Sequence, residues 1–211
     1  ETPDLHTDVD ALLACVTDKT RICFVANPNN PTGTYIPGSE LRRLRDGLRE
    51  DILLVIDAAY SEYVDASDYS DGCDLVEDYQ NVVMLRTFSK LYGLAALRLG
   101  WCYAPEAVVD ALNRVRSPFN VNNSAQAAGI AALGDQDHVE ISLAQNAEQL
   151  KRLCGALSQL GLGFPPSVCN FVLIRFNDAD TAKRALSHLA DQGVIVRSVA
   201  GYGLAESLRA T

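Results

Sequence analysis

The chain has 211 residues, of which 48% are hydrophobic, so it can bury a sizeable core and is not a disordered segment. Its formal net charge of −9 disfavours nucleic acids and anionic membrane surfaces as partners, because both carry negative charge themselves. The sequence contains no apolar run near the roughly 20 residues that a membrane span needs, and no signal peptide opens it.

The cysteines and histidines give no sign of a metal site. The six cysteines form no C-x-x-C pair and no zinc-ligand spacing with a histidine, which predicts buried, reduced thiols in a cytoplasmic protein. The three histidines, His6, His138 and His188, are interpreted as surface or structural residues. We therefore predict no metal, and we find neither a Walker motif nor a dinucleotide fingerprint.

The first half of the chain has the pattern of an α/β sheet. Short apolar runs predict strands over 21–26, 52–56, 82–85 and 99–103. Between the first two, helical spacing predicts a helix over 38–50, with Ser39 as its N-cap. Continuous apolar strands separated by helices indicate a mainly parallel sheet that is covered on both faces.

The second half is mostly helical. Helices are predicted over 105–115 (with Pro105 in the first turn), 123–133, 138–160 and 180–191, and strands over 170–176 and 194–198. We expect a large domain over residues 1–135 and a smaller, incomplete α+β domain over 136–211. Residue 1 is not methionine, and the sequence stops just after a strand-like stretch, so we expect an internal fragment or a processed or trimmed chain.

Polar, chemically capable residues follow three of the predicted strands. Each alone has an ordinary explanation, since an aspartate after a strand usually forms a turn and a lysine is usually solvated. In open α/β sheets, however, ligands bind beyond the carboxyl ends of the strands, so these residues are predicted to converge on one crevice. They are Asn30, Asp57, Tyr60, Thr87, Ser89 and Lys90.

Four ordered motifs carry a family resemblance. They are Asn29–Gly33 (NNPTG), Asp57–Tyr60 (DAAY), Thr87–Lys90 (TFSK) and Leu97–Trp101 (LRLGW). In order and spacing they resemble fold-type I aminotransferases, and most closely the histidinol-phosphate aminotransferase family, to which residues 117–122 and 193–197 are also similar. The resemblance covers nearly the whole chain and implies the aspartate aminotransferase-like fold of pyridoxal-phosphate-dependent transferases.

The resemblance implies a role for each residue around pyridoxal 5'-phosphate. Lys90 resembles the lysine that holds the cofactor as a Schiff base and later moves a proton at the substrate α-carbon. Asp57 resembles the partner of the pyridine nitrogen, which keeps that nitrogen protonated. Asn30 and Tyr60 resemble the pair that donates hydrogen bonds to the phenolate oxygen.

Anion-binding roles follow from the same resemblance. Thr87, Ser89 and Arg98 resemble the residues that hold the cofactor phosphate. Arg209 resembles the arginine that binds the substrate α-carboxylate, and Arg197 the one that meets a distal phosphate, although a surface arginine at a strand end is an open alternative. No role can be assigned from the sequence to Arg86, Tyr92 and Asn120.

The implied activity is transamination between histidinol phosphate, or a related amino acid, and 2-oxoglutarate, by a homodimer in the full-length protein. An aromatic-amino-acid aminotransferase and a threonine-phosphate decarboxylase are alternatives with the same cofactor residues. A non-catalytic module that keeps the fold is an alternative of another class. The family's N-terminal glycine-rich helix start, and its tyrosine that reaches the neighbouring subunit, have no counterpart in this sequence, so we expect little turnover by this chain alone.

Overall fold

A four-stranded sheet forms the first half of the molecule, whose computed structural model describes residues 2–211. Its strands are β1 (Ile22–Ala26), β2 (Leu53–Asp57), β3 (Val82–Thr87) and β4 (Gly100–Tyr103), in the order β1-β2-β3-β4. The first three are parallel, and β4 is antiparallel to β3. The prediction of a mainly parallel sheet is therefore confirmed.

Three helices cover one face of this sheet. They are α1 (Val9–Ala14), α2 (Gly38–Gly47) and α3 (Cys73–Asp78), and they enclose the main core. Every second side chain of the parallel strands points into this core, because successive residues of a strand face opposite sides of the sheet. The core includes Leu41, Leu44, Leu54, Ile56, Val82 and Met84, all fully buried.

The prediction of cover on both faces is wrong for the outer strands. Val55 and Val83 on the two central strands are buried on the second face. On β1, however, Phe24 is 67% exposed and Ile22 is 50% exposed, because no described element packs over that side of the strand. Trp101 on β4 is likewise 47% exposed. The edges of the sheet therefore present apolar surface.

The second half contains four helices and a small antiparallel sheet. The helices are α4 (Glu106–Val115), α5 (Asn123–Gly134), α6 (Gln136–Gln159) and α7 (Ala179–Asp191). The strands β5 (Val172–Arg175), β6 (Arg197–Ser198) and β7 (Ser207–Ala210) pair in the order β5-β7-β6. The two sheets lie on either side of residue 136 in the sequence, and a domain boundary there stays a prediction.

Some local predictions are wrong at element ends. Ser39 lies inside α2, because the helix begins at Gly38 after Pro37, and Pro105 precedes α4 as its N-cap. The strand expected over 194–198 is limited to Arg197–Ser198, because the Val194 amide donates to Leu189 and so completes the end of α7. The six-residue helices α1 and α3 were not predicted, since they are too short for periodicity.

Residues 2–211 contain neither a helix that could span a membrane nor a disulfide bond. None of the helices in that range is long and apolar enough to cross a membrane. All six cysteines are free, but only Cys169 is buried and Cys15 is exposed. The prediction that the thiols are buried is wrong for Cys15, and their reduced state stays a prediction.

Arg45 is a buried arginine at the end of α2 that stabilises the turn leading into β2. Its side chain is 3% exposed, and its guanidinium donates to the carbonyls of Leu48, Arg49 and Ile52 at 2.7–3.1 Å. Arg45→Met would keep most of the volume but leave the Leu48 carbonyl without its donor. It would also remove one of the two donors to each of the Arg49 and Ile52 carbonyls. We expect the free energy of unfolding to fall by about 2–4 kcal/mol, measured by urea denaturation.

Arg49 provides the matched control. It also donates to backbone carbonyls, those of Thr17 and Thr20, but its side chain is 39% exposed and water can replace it. Arg49→Met should therefore cost about 1 kcal/mol or less. Equal losses for the two variants would show that burial of Arg45 does not make its hydrogen bonds more stabilising.

Candidate active site

The carboxyl ends of the three parallel strands lie side by side. Ala26 on β1 is in register with Asp57 on β2, which in turn is in register with Leu85 on β3. The chain is held at this edge because the Asn27 amide donates to the Asp57 carbonyl and the Ala58 amide donates to the Leu85 carbonyl, both at 3.0 Å. The loops that carry the predicted site residues therefore leave the sheet together.

A series of ring contacts links three of the predicted site residues through Phe171. The Lys90 amine lies 5.1 Å from the centroid of the Tyr60 ring. Tyr60 meets Phe171 edge to face, with ring centroids 5.2 Å apart, and the Arg209 guanidinium lies 5.0 Å from the Phe171 centroid. Phe171 is 2% exposed, so it connects the Lys90 side of the crevice to the Arg209 side through a packed contact.

The Arg209 guanidinium is only partly satisfied by the protein. Its Nη1 donates to Asn30 Oδ1 at 2.6 Å, across 179 positions of sequence. Its Nε is buried and has no hydrogen-bond partner among the described residues. A buried donor without a partner costs free energy unless a ligand supplies the acceptor, so Arg209 has the properties of an anion-binding residue.

The two residues expected beside the pyridine ring differ in exposure. Asp57 is exposed at the end of β2, and its Oδ1 accepts a hydrogen bond from the Ala59 amide at 3.2 Å. Tyr60 is buried and is the N-cap of a single 3-10 turn over Ser61–Tyr63. The tight turn therefore leaves the Asp57 carboxylate accessible while it packs the Tyr60 ring inside.

Thr87, Ser89 and Arg98 lie together in the turn that follows β3. The Ser89 amide donates to Thr87 Oγ1 at 3.0 Å, and Arg98 Nη1 lies 3.5 Å from Ser89 Oγ. Arg98 has a positive φ of 54°, and its Nη1 also donates to the Ala95 carbonyl at 2.7 Å. Two hydroxyls and an exposed guanidinium are thus collected within one short segment.

Arg197 lies directly opposite Arg209 in the β6–β7 pair. Directly opposed residues of an antiparallel pair project from the same face of the sheet, and like charges there are unfavourable. Arg197 is exposed, whereas Arg209 is partly buried. An anion between or beside the two guanidinium groups would relieve the repulsion.

The three residues without assigned roles have protein partners. Arg86 forms ion pairs with Glu62 at 3.0 Å and with Asp71 at 2.7 Å. Tyr92 packs on Phe88, with centroids 5.0 Å apart. Asn120 is exposed and accepts from Arg116, so nothing places it in the crevice.

Two residues of the crevice, Phe171 and Cys169, were not predicted. Phe171 directly precedes the apolar strand β5, so in sequence it resembles an ordinary core residue. Cys169 is fully buried, and burial raises the pKa of its thiol far above its usual range, although the positive charges of Arg209 and Lys90 oppose the shift. The thiol is therefore protonated at neutral pH and is a packing residue.

No cluster of histidine, cysteine or carboxylate side chains within residues 2–211 has the arrangement of a metal site. The predicted site residues supply an amine, a carboxamide, a phenol, two hydroxyls, a carboxylate and several guanidinium groups. This donor set suits an anionic, aromatic ligand that carries a group able to react with an amine.

The chain belongs to the aminotransferase class I and II family, whose pattern matches residues 1–211. It is 56% identical over 210 residues to the histidinol-phosphate aminotransferase of Paramagnetospirillum magneticum, covering 99% of this chain and 58% of that protein. The chain thus spans little more than half the length of the curated relatives that it matches.

Solved structures give the same fold. The histidinol-phosphate aminotransferase of Sinorhizobium meliloti, solved with pyridoxal-5'-phosphate, superposes with a TM-score of 0.88 at 32% identity, covering 96% of this chain and 56% of that one. A mutant aspartate aminotransferase of Thermus thermophilus superposes with a TM-score of 0.83 at 24% identity, covering 99% and 59%. The expected aspartate aminotransferase-like fold is confirmed.

Proposed function

We propose that this chain is the cofactor-binding part of a pyridoxal-phosphate-dependent histidinol-phosphate aminotransferase. The observation that carries the proposal is the continuous series of side-chain contacts from Lys90 through Tyr60 and Phe171 to Arg209. The relatives at 53–56% identity, all histidinol-phosphate aminotransferases, support the choice of activity within the family.

The residues present fit pyridoxal phosphate. The Lys90 amine makes no hydrogen bond or ion pair with any described residue, so it is free to react. Asp57 presents an accessible carboxylate for a ring nitrogen, and Tyr60 lies next to the amine as a donor for a phenolate oxygen. Thr87, Ser89 and Arg98 supply hydroxyl and guanidinium donors for a phosphate.

Each residue then has a defined task. When bound, the cofactor supplies an aldehyde that captures amines and a protonated ring that accepts electrons from a bond broken at the substrate α-carbon. The Lys90 amine would hold the aldehyde and, when free, would be the group that moves a proton at the substrate α-carbon. The Asp57 carboxylate holds the ring nitrogen in its protonated form, and Asn30 and Tyr60 orient the ring by hydrogen bonds.

The two opposed arginines suit substrates with an anionic group near the amine. Arg209, which is partly buried and oriented by Asn30 and Phe171, binds the carboxylate of the amino or 2-oxo acid in a bidentate manner. Arg197, opposite it, meets a distal phosphate. Phe171 and Cys169 are buried in one apolar cluster with Tyr60, so this side of Arg209 is lined by apolar side chains.

We also propose that the protein is cytoplasmic and that a domain boundary lies near residue 136. We propose, further, that it acts as a homodimer. Exposed apolar side chains on the helical half support association: Phe119 is 96% exposed with a positive φ of 55°, and Val115 and Ile130 are also exposed. An aromatic side chain held in solvent by a strained backbone is more stable when covered.

A substrate panel tests the activity. The protein, expressed at the full length that its gene encodes and loaded with pyridoxal phosphate, should convert histidinol phosphate with 2-oxoglutarate at a kcat/KM at least about tenfold above that for aromatic amino acids. Product formation from 2-oxoglutarate is measured as glutamate. Omitting the 2-oxo acid should stop turnover after one equivalent.

The same panel separates the alternatives. Preference for phenylalanine or tyrosine would support an aromatic-amino-acid aminotransferase. Sustained release of carbon dioxide from threonine phosphate without a 2-oxo acid would support a decarboxylase. Absence of a visible absorbance band with pyridoxal phosphate would support a non-catalytic module and contradict the proposal.

A further inference from the structure

Arg86 connects the two segments that carry the cofactor residues. It is the residue directly before Thr87 on β3, so its backbone is continuous with the turn that holds Ser89 and Lys90. Its Nε and Nη2 donate to Glu62 Oε1 at 3.2 and 3.0 Å, and Glu62 lies two residues after Tyr60. One guanidinium therefore joins the Tyr60 turn to the Lys90 turn.

Asp71, the second carboxylate that pairs with Arg86, ties down the loop that follows Glu62. Arg86 Nη1 donates to Asp71 Oδ2 at 2.7 Å, and the guanidinium carbon lies 5.8 Å from the Trp101 ring centroid on β4. The side chains of Arg86, Glu62 and Asp71 are 18%, 10% and 25% exposed, so solvent screens these pairs less than it screens surface pairs. We call these three residues the Arg86 clamp.

The clamp acts on a segment whose other end is already fixed. The Ala58 amide donates to the Leu85 carbonyl at 3.0 Å, so residues 85 and 86 of β3 hold both ends of the stretch from Asp57 to Glu62. The Ser61 amide donates to the Ala58 carbonyl within that stretch, and the Tyr63 amide just beyond it donates to the Tyr60 carbonyl, both at 3.1 Å. The position of Tyr60 relative to Lys90 is therefore set from β3.

We propose that Arg86 is a positioning residue for the cofactor site, which acts by holding Tyr60 in register with the Lys90 amine. Without Arg86, the Glu62 carboxylate would be left in a site where its Oε2 already has no partner, and it would move toward water. The 3-10 turn over Ser61–Tyr63 would shift together with Glu62, and Tyr60 would no longer be held beside Lys90. This inference rests on the proposed function, because it assigns Tyr60 a hydrogen bond to the cofactor.

The visible absorbance of the cofactor-loaded protein reports on Tyr60. A hydroxyl that donates to the cofactor's phenolate oxygen lowers the pKa of the proton which that oxygen shares with the Lys90 nitrogen. Loss of the Tyr60 hydroxyl in Tyr60→Phe should raise the pH midpoint of the absorbance change by about one unit. Arg86→Met should raise it in the same direction, and the double variant should match Tyr60→Phe alone, because the two effects share one cause.

Arg42→Met is the matched control. Arg42 also pairs with two carboxylates, those of Asp74 and Asp78, and lies 5.9 Å from the Tyr79 ring centroid, but it contacts neither turn of the site. It should leave the pH midpoint unchanged. Glu62→Ala, which removes the oxygen that accepts both Arg86 hydrogen bonds, should raise the midpoint even if Arg86→Met fails to fold.

A second measurement needs no cofactor. Hydrogen exchange at the amides of residues 58–64 should become at least about tenfold faster in Arg86→Met or Glu62→Ala, and stay unchanged in Arg42→Met. The proposal would be overturned if folded variants left both the exchange rates and the pH midpoint unchanged. It would also be overturned if the midpoint shifts of Arg86→Met and Tyr60→Phe added up in the double variant. A wild-type protein that gives no visible band would contradict the proposed function, while the exchange result would still decide the clamp.

Discussion

Lys90→Ala should abolish turnover, with kcat falling at least about 10⁴-fold. The amine of residue 90 has two tasks in the proposed mechanism, since it first binds the cofactor's aldehyde and then moves a proton at the α-carbon. Alanine can do neither. The variant should keep its fold, because the amine makes no hydrogen bond or ion pair with any described residue and only the contact with the Tyr60 ring is lost.

Two readouts make this expectation specific. Borohydride treatment of the wild-type protein with pyridoxal phosphate should add the reduced cofactor to the peptide that contains residue 90, as measured by mass spectrometry. Lys151→Ala, which removes an exposed lysine from α6, should label and turn over like the wild type. Labelling of another lysine in Lys90→Ala at the wild-type level would refute the assignment.

The central strands could be predicted because their sequence patterns are strong. Residues 22–26, 52–56 and 82–85 are continuous apolar runs, and the structure has β1, β2 and β3 there. The carboxyl ends of parallel neighbours must share one edge of the sheet, so the proximity of the residues that follow them also follows from the sequence. The long helices α6 and α7 were predicted for a similar reason, since many turns repeat one pattern.

Long-range side-chain contacts could not be predicted. Nothing about Phe171 in sequence distinguishes it from a core residue, yet it lies between Tyr60 and Arg209. The role of Arg86 depends on carboxylates 24 and 15 positions earlier in the chain. Such contacts are set by the packing of loops, for which no periodicity exists, and the exposed face of β1 depends equally on what other segments pack over it.

Arg209→Lys should lower kcat/KM by about a hundredfold to a thousandfold for both the amino donor and the 2-oxo acid. Lysine keeps the charge, but it loses the planar pair of donors that matches a carboxylate. It also loses the orientation that Asn30 and Phe171 impose on the guanidinium. Steady-state kinetics with each substrate varied in turn measure the effect, and the protein should still bind the cofactor, because Lys90, Asp57 and the phosphate donors are unchanged.

Arg197→Lys is the comparison that separates the two anion-binding tasks. Arg197 is opposite Arg209 in the β6–β7 pair but is exposed, so its replacement should raise KM only for the phosphate-bearing substrate and leave that for 2-oxoglutarate unchanged. If Arg197→Lys raises the KM for 2-oxoglutarate as much as Arg209→Lys does, the two arginines bind one common anion. If only Arg197→Lys impairs the reaction, Arg209 has a packing role, and its buried Nε must be satisfied by something other than substrate.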